Sequence, residues 1–175
     1  MNKYNSHGFT LIEIMVYTAI LAILAGVAVP IYSSTTSKTK FASESEKIIH
    51  YLTYARSEAV KNNSDITLSF STGSNWCLGL SDSGACDCTT ANSCQINSIE
   101  KIVRSAGNTN FNLAVDNSLK SANFDPLRGM LEKTNAPSSG KISLSGASLS
   151  AEISINILGR ADICSSSLST YKDCP

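Results

Sequence analysis

The chain of 175 residues has no excess of charge of either sign, since it contains 14 basic and 14 acidic residues. A neutral chain produces no overall field that would draw it toward nucleic acid or an acidic lipid surface. The sequence also has no P-loop, no G-x-G-x-x-G and no G-x-S-x-G elbow. Its two histidines, His7 and His50, have no obvious acidic partner. We therefore expect neither an enzyme nor a cofactor.

Six cysteines stand in a body rich in serine, asparagine and threonine. This usage predicts disulfides and an oxidising compartment. Zinc is the competing interpretation, because Cys86, Cys88 and Cys94 are close in sequence, but neither histidine is near them and zinc sites usually show separated C-x2-4-C pairs. Calcium is less favoured still, since Asp82 and Asp87 lack the spacing of a calcium loop. We expect residues 81–95 to form a cysteine-rich loop joined to the strand at Cys77, and no metal.

No charged residue lies between Glu13 and Lys38, and residues 14–32 (IMVYTAILAILAGVAVPIY) are predominantly apolar. A run of this length is typical of a helix that crosses a bilayer, and Lys3 before it favours a cytoplasmic N-terminus. A cleaved signal peptide is the alternative. Gly26 and Pro30 predict a break in the helix, although Pro30 is also compatible with the end of a simple anchor.

A helical period follows the polar segment 33–40. The helix is predicted to continue from the anchor to about Lys61 and to end at Asn62–Asn63, with an apolar stripe packed on a sheet. The stripe consists of Phe41, Ser45, Ile48, Leu52, Ala55 and Ala59, widened by Ile49 and Val60.

From Asp65 onward the apolar residues alternate with polar ones, and glycine and proline separate the segments. This pattern predicts antiparallel strands with polar residues outward. The predicted strands contain Ile66, Leu68 and Phe70; Trp76, Leu78 and Leu80; Phe111, Leu113 and Val115; Ile142 and Leu144; Ile153, Ile155 and Ile157. The predicted fold class is α+β, with a long N-terminal helix whose first half spans the membrane, packed on a mainly antiparallel β-sheet domain.

Residues 8–13 (GFTLIE) resemble the processing signature of the type IV pilin-like superfamily. The resemblance implies cleavage after Gly8, N-methylation of Phe9, and docking of Glu13 on the Phe9 amine of a neighbouring subunit. An unpaired carboxylate in the apolar layer costs about 2.5–3.5 kcal/mol, so such a partner would explain its position. We expect a leader at 1–8, a hydrophobic transmembrane and filament-core helix at 9–37, an amphipathic helix at 38–62 and a β-rich domain at 63–175.

Three later segments resemble pseudopilin H and the FimU/FimT-type minor pilins, namely residues 52–70, 123–130 and 155–164. This resemblance implies a C-terminal disulfide between Cys164 and Cys174. The other four cysteines, Cys77, Cys86, Cys88 and Cys94, allow three pairings, which the sequence leaves open.

Some of these minor pilins bind DNA through a Gly-Arg-x-Arg motif. Here the motif reads Gly159-Arg160-Ala161-Asp162, so an aspartate replaces the second arginine. Cations and acids are also equal in number, five each, after residue 120. DNA binding through Arg160 therefore remains a less favoured alternative, because phosphate contacts need a cluster of cations.

The resemblance implies a minor pilin of a type IV pilus that is incorporated at the filament tip and helps to prime assembly. Such a role would support twitching, adhesion or DNA uptake. The expected partners are other minor pilins, the major pilin, the prepilin peptidase and the inner-membrane assembly platform. The protein would reside in the inner membrane with a periplasmic C-terminal domain and then at the pilus tip. The alternatives are pseudopilin H of a type II secretion system, a DNA receptor for natural transformation, or a plain secreted or anchored domain.

Overall fold

The computed structural model describes residues 9–107, 110–146 and 148–174, and at 27–31 and 33 it describes the backbone alone. The chain divides into two compact units, Met1–Thr39 and Lys40–Pro175, which we call the N-terminal unit and the body. One α-helix, α1 (Leu11–Asn62), begins in the former and ends in the latter. The described strands are β1 (Ile66–Ser71), β2 (Cys77–Ser81), β3 (Gln95–Ile96), β4 (Ile99–Glu100), β5 (Ile102–Arg104), β6 (Asn112–Val115), β7 (Asn123–Phe124), β8 (Leu131–Lys133), β9 (Ala136–Pro137), β10 (Gly140–Gly146), β11 (Leu149–Ile155) and β12 (Ala161–Cys164).

All pairings between these strands are antiparallel, which confirms the predicted α+β class with a mainly antiparallel sheet. One sheet has the order β5-β2-β1-β7-β8-β9, and a second has the order β12-β11-β10-β6. Strands β3 and β4 form a separate hairpin. The sheet that the sequence predicts is thus divided into two sheets and a hairpin.

The body has one main apolar core, to which α1 and both larger sheets contribute. The six residues of the predicted helical stripe are all buried, and the Phe41 ring meets the Phe111 ring edge-on at 5.0 Å between centroids. Val60 was expected to widen the stripe, but its side chain is 50% exposed. Glu44 is buried on the same face, where its Oε1 lies 2.8 Å from the Lys47 ammonium.

The end of α1 is where the sequence places it. Asn63, the first residue after the helix, has a φ of +48°, and the Ser64 N–H donates to the carbonyl of Ala59. A left-handed residue after the last turn is a common helix stop, and asparagine tolerates this conformation better than most residues.

In the N-terminal unit, α1 is continuous through Gly26 and Pro30, so the helix does not end there, and the predicted bend at these residues stays a prediction. A proline lacks only one backbone donor, which a helix can lose without ending. The Pro30 side chain lies outside the described residues. Within the part of the chain that the structure describes, no helix is both long and apolar enough for a membrane crossing.

Strands β1 and β2 differ from the predicted alternation, because Thr67, Ser69, Gly79 and Ser81 are buried although they face away from the apolar core residues of the same strands. The cysteine-rich loop covers this second face, since the Cys86 N–H donates to the Ser69 hydroxyl at 3.0 Å. Ile157 lies beyond the end of β11 and is 45% exposed, so the predicted third apolar position of this strand is wrong.

Candidate functional site

Two of the residues that the sequence assigns to processing and docking, Phe9 and Glu13, lie just before α1 and in its first turn. Phe9 precedes the helix with a side chain that is 73% exposed. The Glu13 N–H donates to the Thr10 hydroxyl at 3.3 Å, and the Tyr17 hydroxyl donates to Glu13 Oε1 at 3.4 Å. The predicted cleavage site includes Gly8, which lies outside the described residues. Cleavage, methylation and docking therefore stay predictions.

Thr10 has a role that the sequence reasoning did not identify. A threonine three residues before a glutamate is the pattern of a capping box, in which the threonine hydroxyl accepts a hydrogen bond from the N–H of the third helical residue. The contact between Thr10 and Glu13 has this geometry. The carboxylate also lies at the positive end of the helix dipole, which favours a negative charge there.

Many apolar side chains of the N-terminal unit are exposed within this single chain. Among the side chains that the structure describes here, those that are at least 60% exposed are Phe9, Leu11, Ile12, Leu21, Ile23, Leu24 and Tyr32. An apolar surface of this extent on a soluble monomer is unusual and normally marks contact with lipid or another protein. These side chains would therefore need apolar surroundings that the described part of the chain does not supply.

The cysteine-rich loop is held by two disulfides, Cys77–Cys88 and Cys86–Cys94. The predicted Cys164–Cys174 bond is present as well, so all six cysteines are paired. Disulfide formation excludes the zinc interpretation for these thiols. Among the described residues, no three histidine, cysteine, aspartate or glutamate side chains come together as metal ligands would.

The two aspartates of the calcium alternative bind groups of the cysteine-rich loop and its neighbouring hairpin. Asp87 accepts hydrogen bonds from the hydroxyl and N–H of Thr89 and from the hydroxyl of Thr90, and these bonds hold the pKa of Asp87 below its usual range. Asp82 accepts from the Asn97 N–H at 2.8 Å. Both carboxylates thus stabilise turns.

The C-terminal loop, residues 165–174, is fastened at several points. Cys164 and Cys174 close it covalently, and the buried Ser165 hydroxyl donates to the carbonyl of Ser150 at 2.6 Å. At its far side the Tyr171 hydroxyl donates to Glu46 Oε1 on α1 at 2.8 Å. The loop thereby connects β12 to the helix.

Tyr171→Phe is expected to lower the free energy of unfolding by about 0.5–1.5 kcal/mol near neutral pH, because it removes the hydrogen bond to Glu46. Burial, and then the hydrogen bond to and charge of Glu46, raise the pKa of Tyr171 to about 12. Its contribution is therefore complete below pH 10, the ordinary tyrosine pKa, and is lost as the pH rises toward 12. Denaturant titrations of both proteins at several pH values measure the difference.

Tyr51→Phe is the matched control. The Tyr51 hydroxyl is buried and has no hydrogen-bond partner among the described residues, so its removal should leave stability unchanged or slightly higher. Equal losses in the two variants would contradict the role assigned to the contact between Tyr171 and Glu46.

Arg160, the candidate DNA contact, is exposed after the turn at Gly159. It lines a shallow groove that also contains Lys141, Asp116 and Asp162. The two cations and two carboxylates cancel, so this groove does not present the cationic surface that phosphate contacts require.

Two family models match the chain. The model described as "Type II transport protein GspH" covers residues 44–159, and the model described as "Prokaryotic N-terminal methylation motif" covers residues 3–29. No curated protein and no solved structure matches significantly. The first match covers more than half of the chain and includes most of the body, while the second contains the first turns of α1. The chain therefore belongs to the GspH family, within the type IV pilin-like superfamily.

Proposed function

We propose that the protein is a low-abundance subunit of a type IV pilus, a minor pilin that is incorporated at the filament tip and helps to prime assembly. The observation that carries this proposal is the first turn of α1. At this point an exposed Phe9 just before the helix, a carboxylate at Glu13 and several exposed apolar side chains occur together, and a methylation motif matches the same segment.

Assembly gives this helix the surroundings that it lacks in the single chain. Before assembly, residues 9–37 would be stored in the inner membrane with the body in the periplasm, where the three disulfides can form. The prepilin peptidase would remove residues 1–8 and allow methylation of Phe9. Transfer from lipid into a filament exchanges one apolar environment for another, so the filament must also supply a partner for the Glu13 charge.

The proposed partner of Glu13 is the α-amino group of Phe9 on a neighbouring subunit. An opposite charge in a medium of low dielectric constant attracts strongly, while an unpaired carboxylate is costly there. Glu13 would thus set the register of the incoming subunit. The other minor pilins, the major pilin and the assembly platform are the partners that this process requires.

Glu13→Ala is expected to reduce incorporation into filaments at least tenfold while leaving leader cleavage intact, since loss of the carboxylate that pairs with the Phe9 amine weakens docking by more than about 1.4 kcal/mol. Immunoblots of sheared filaments measure incorporation, and the mass of the mature N-terminus measures cleavage. Tyr17→Phe is the control, because it removes only the hydrogen bond within the helix. Normal incorporation of the alanine variant would contradict the docking role.

A second candidate is a pseudopilin of a type II secretion system, which is favoured by the description of the matching family model. Both machines require the same N-terminal helix, so a deletion strain distinguishes them. Loss of surface filaments supports the pilus, and loss of protein secretion with normal filaments supports the secretion system. Normal filaments with lost DNA uptake would instead favour the DNA receptor and overturn the proposed priming role.

A further inference from the structure

Exposed apolar side chains of the body gather at one place. Among its described residues, the large apolar side chains that are at least 45% exposed are Val60, Ile99, Leu127, Ile157 and Leu158. All but Ile99 lie in or beside two turns that contact each other, residues 125–130 and 156–160. We call Val60, Leu127, Ile157 and Leu158 the Leu127 patch.

The two turns meet through glycines. A Cβ on Gly159 would lie 2.5 Å from the carbonyl oxygen of Gly129, so the two backbones are in direct contact. Arg56 donates from Nε to the same carbonyl at 3.0 Å, and a Cβ on Gly129 would lie 3.3 Å from a methyl group of Val60. The helix and both turns therefore bring the apolar side chains of the patch to one region of the surface. These side chains are exposed although the backbone beneath them is closely packed, so they do not belong to a loosely attached loop.

Beside the Leu127 patch, the cations are more exposed than the carboxylates with which they pair. Arg128 pairs with Asp125 and Glu132, and its side chain is 63% exposed whereas theirs are 13% and 15% exposed. Lys61 pairs with Glu58, with exposures of 70% and 11%. In each pair the cation projects to solvent and the carboxylate is largely covered. The groups that project from the border of the apolar centre are therefore cationic, although the three carboxylates beneath them outnumber the two cations.

The position of the patch restricts what can reach it. It lies beside Arg56 and Val60, in the last two turns of α1, whereas the helix enters the body at Lys40. Twenty helical residues separate these ends by about 30 Å, at a rise of 1.5 Å per residue. The patch is therefore at the end of the body that is remote from the point where the helix enters it.

We propose that the Leu127 patch is the docking surface for a different pilin-like subunit of the same assembly, which presents apolar side chains bordered by carboxylates. This inference rests on the proposed assembly function. Charge complementarity selects the partner, because contact of the patch with the same patch of a second copy would bring Arg128 and Lys61 against their equivalents. A lipid surface is disfavoured by the position of the patch, since residues 9–37 would hold the opposite end of the body near the membrane.

A photo-crosslinking amino acid at position 127 of the full chain, in living cells, tests the proposal. The expected adduct contains another chain with a processed pilin-like N-terminus, identified by mass spectrometry. Position 99 is the control, because Ile99 is 60% exposed and lies on a hairpin that contacts α1 through Asn97 and Asn62. Asn62 follows Val60 by two residues, which is a rotation of about 200° around a helix. An adduct with a second copy, with lipid, with no molecule, or with the same partner equally from position 99 would overturn the proposal.

Leu127→Asp should reduce the amount of co-purifying partner identified in that way by about tenfold, and Ile99→Asp should have no such effect. Leu127 is 80% exposed, so the thermal stability of both variants should equal that of the unchanged protein. The proposed assembly function has a separate measure, namely the filament count of the deletion strain. Lost filaments in that strain with no effect of Leu127→Asp would reject the docking surface and leave the proposed function in place.

Discussion

Gly159→Ala is expected to lower the free energy of unfolding by about 2–4 kcal/mol. Gly159 has a φ of +70°, a conformation in which alanine is strained by about 1 kcal/mol. The added Cβ would also lie 2.5 Å from the backbone oxygen of Gly129 and 3.0 Å from the Phe124 ring. A backbone oxygen cannot move aside as a flexible side chain can, so the two turns must separate. Denaturant titration of the oxidised protein measures the loss.

Substitutions at two other glycines distinguish the cost of backbone strain from the cost of steric overlap by the added Cβ. Gly84 has a φ of +101° and open space where a Cβ would be added, so Gly84→Ala should show backbone strain alone. Gly107 has open space and no positive φ, so Gly107→Ala should have little effect. If Gly159→Ala is no more harmful than Gly84→Ala, then the close approach of the two turns is not what makes glycine necessary.

Removal of the buried disulfide by Cys77→Ala and Cys88→Ala together is expected to destabilise the body by about 3–5 kcal/mol. The bond joins residues 11 apart, and loop closure of this length contributes about 2.5–3 kcal/mol in the chain-entropy model. Both cysteines are only 2% exposed, so their sulfur atoms would also leave unfilled space. Thermal and denaturant unfolding of the purified variant check this value.

The C-terminal disulfide is a matched control, since Cys164 and Cys174 are 10 residues apart and close a loop of nearly equal length. Cys174 is exposed, so loss of this bond can loosen residues 165–174 without opening the core. We expect the corresponding double alanine variant to lose less than the variant at Cys77 and Cys88. Equal losses would show that loop length alone determines the effect.

The helix of the body follows from the sequence more fully than the strands do. Its stripe depends on residues three, four and seven apart, and those spacings are visible in any sequence. Val60 is the exception, because whether that position is covered depends on the turn at Gly129, which lies far along the chain. Contacts between residues so far apart in the chain leave no pattern in the sequence around either residue.

The alternating pattern predicted burial wrongly where a loop, rather than solvent, covers the second face of the sheet. Thr67 and Ser69 look like outward polar residues, yet the cysteine-rich loop buries them. The path of that loop depends on which cysteines pair, and four cysteines allow three arrangements. Sequence reasoning therefore predicted the presence of disulfides and could not predict what they place over the sheet.

The functional residues also include some that the sequence predicts and some that it does not. Phe9 and Glu13 were found because the motif is contiguous, and the hydrogen bond at Thr10 has a short pattern that was open to recognition. The Leu127 patch had no such signal. It exists because two turns meet at Gly129 and Gly159, and the exposure of cations at its border depends on which partner of each ion pair is covered.

The two disulfides of the cysteine-rich loop interleave, since Cys86 lies inside the segment closed by Cys77–Cys88 and pairs outside it with Cys94. Joining Cys77 to Cys86 and Cys88 to Cys94 would close two shorter loops, which an unfolded chain forms slightly more readily. Oxidation before folding therefore favours the wrong partners. The native bonds fit once β1 and β2 hold the loop in place, so any wrong pairs formed earlier would have to be exchanged, which requires a free thiolate as well as an oxidant.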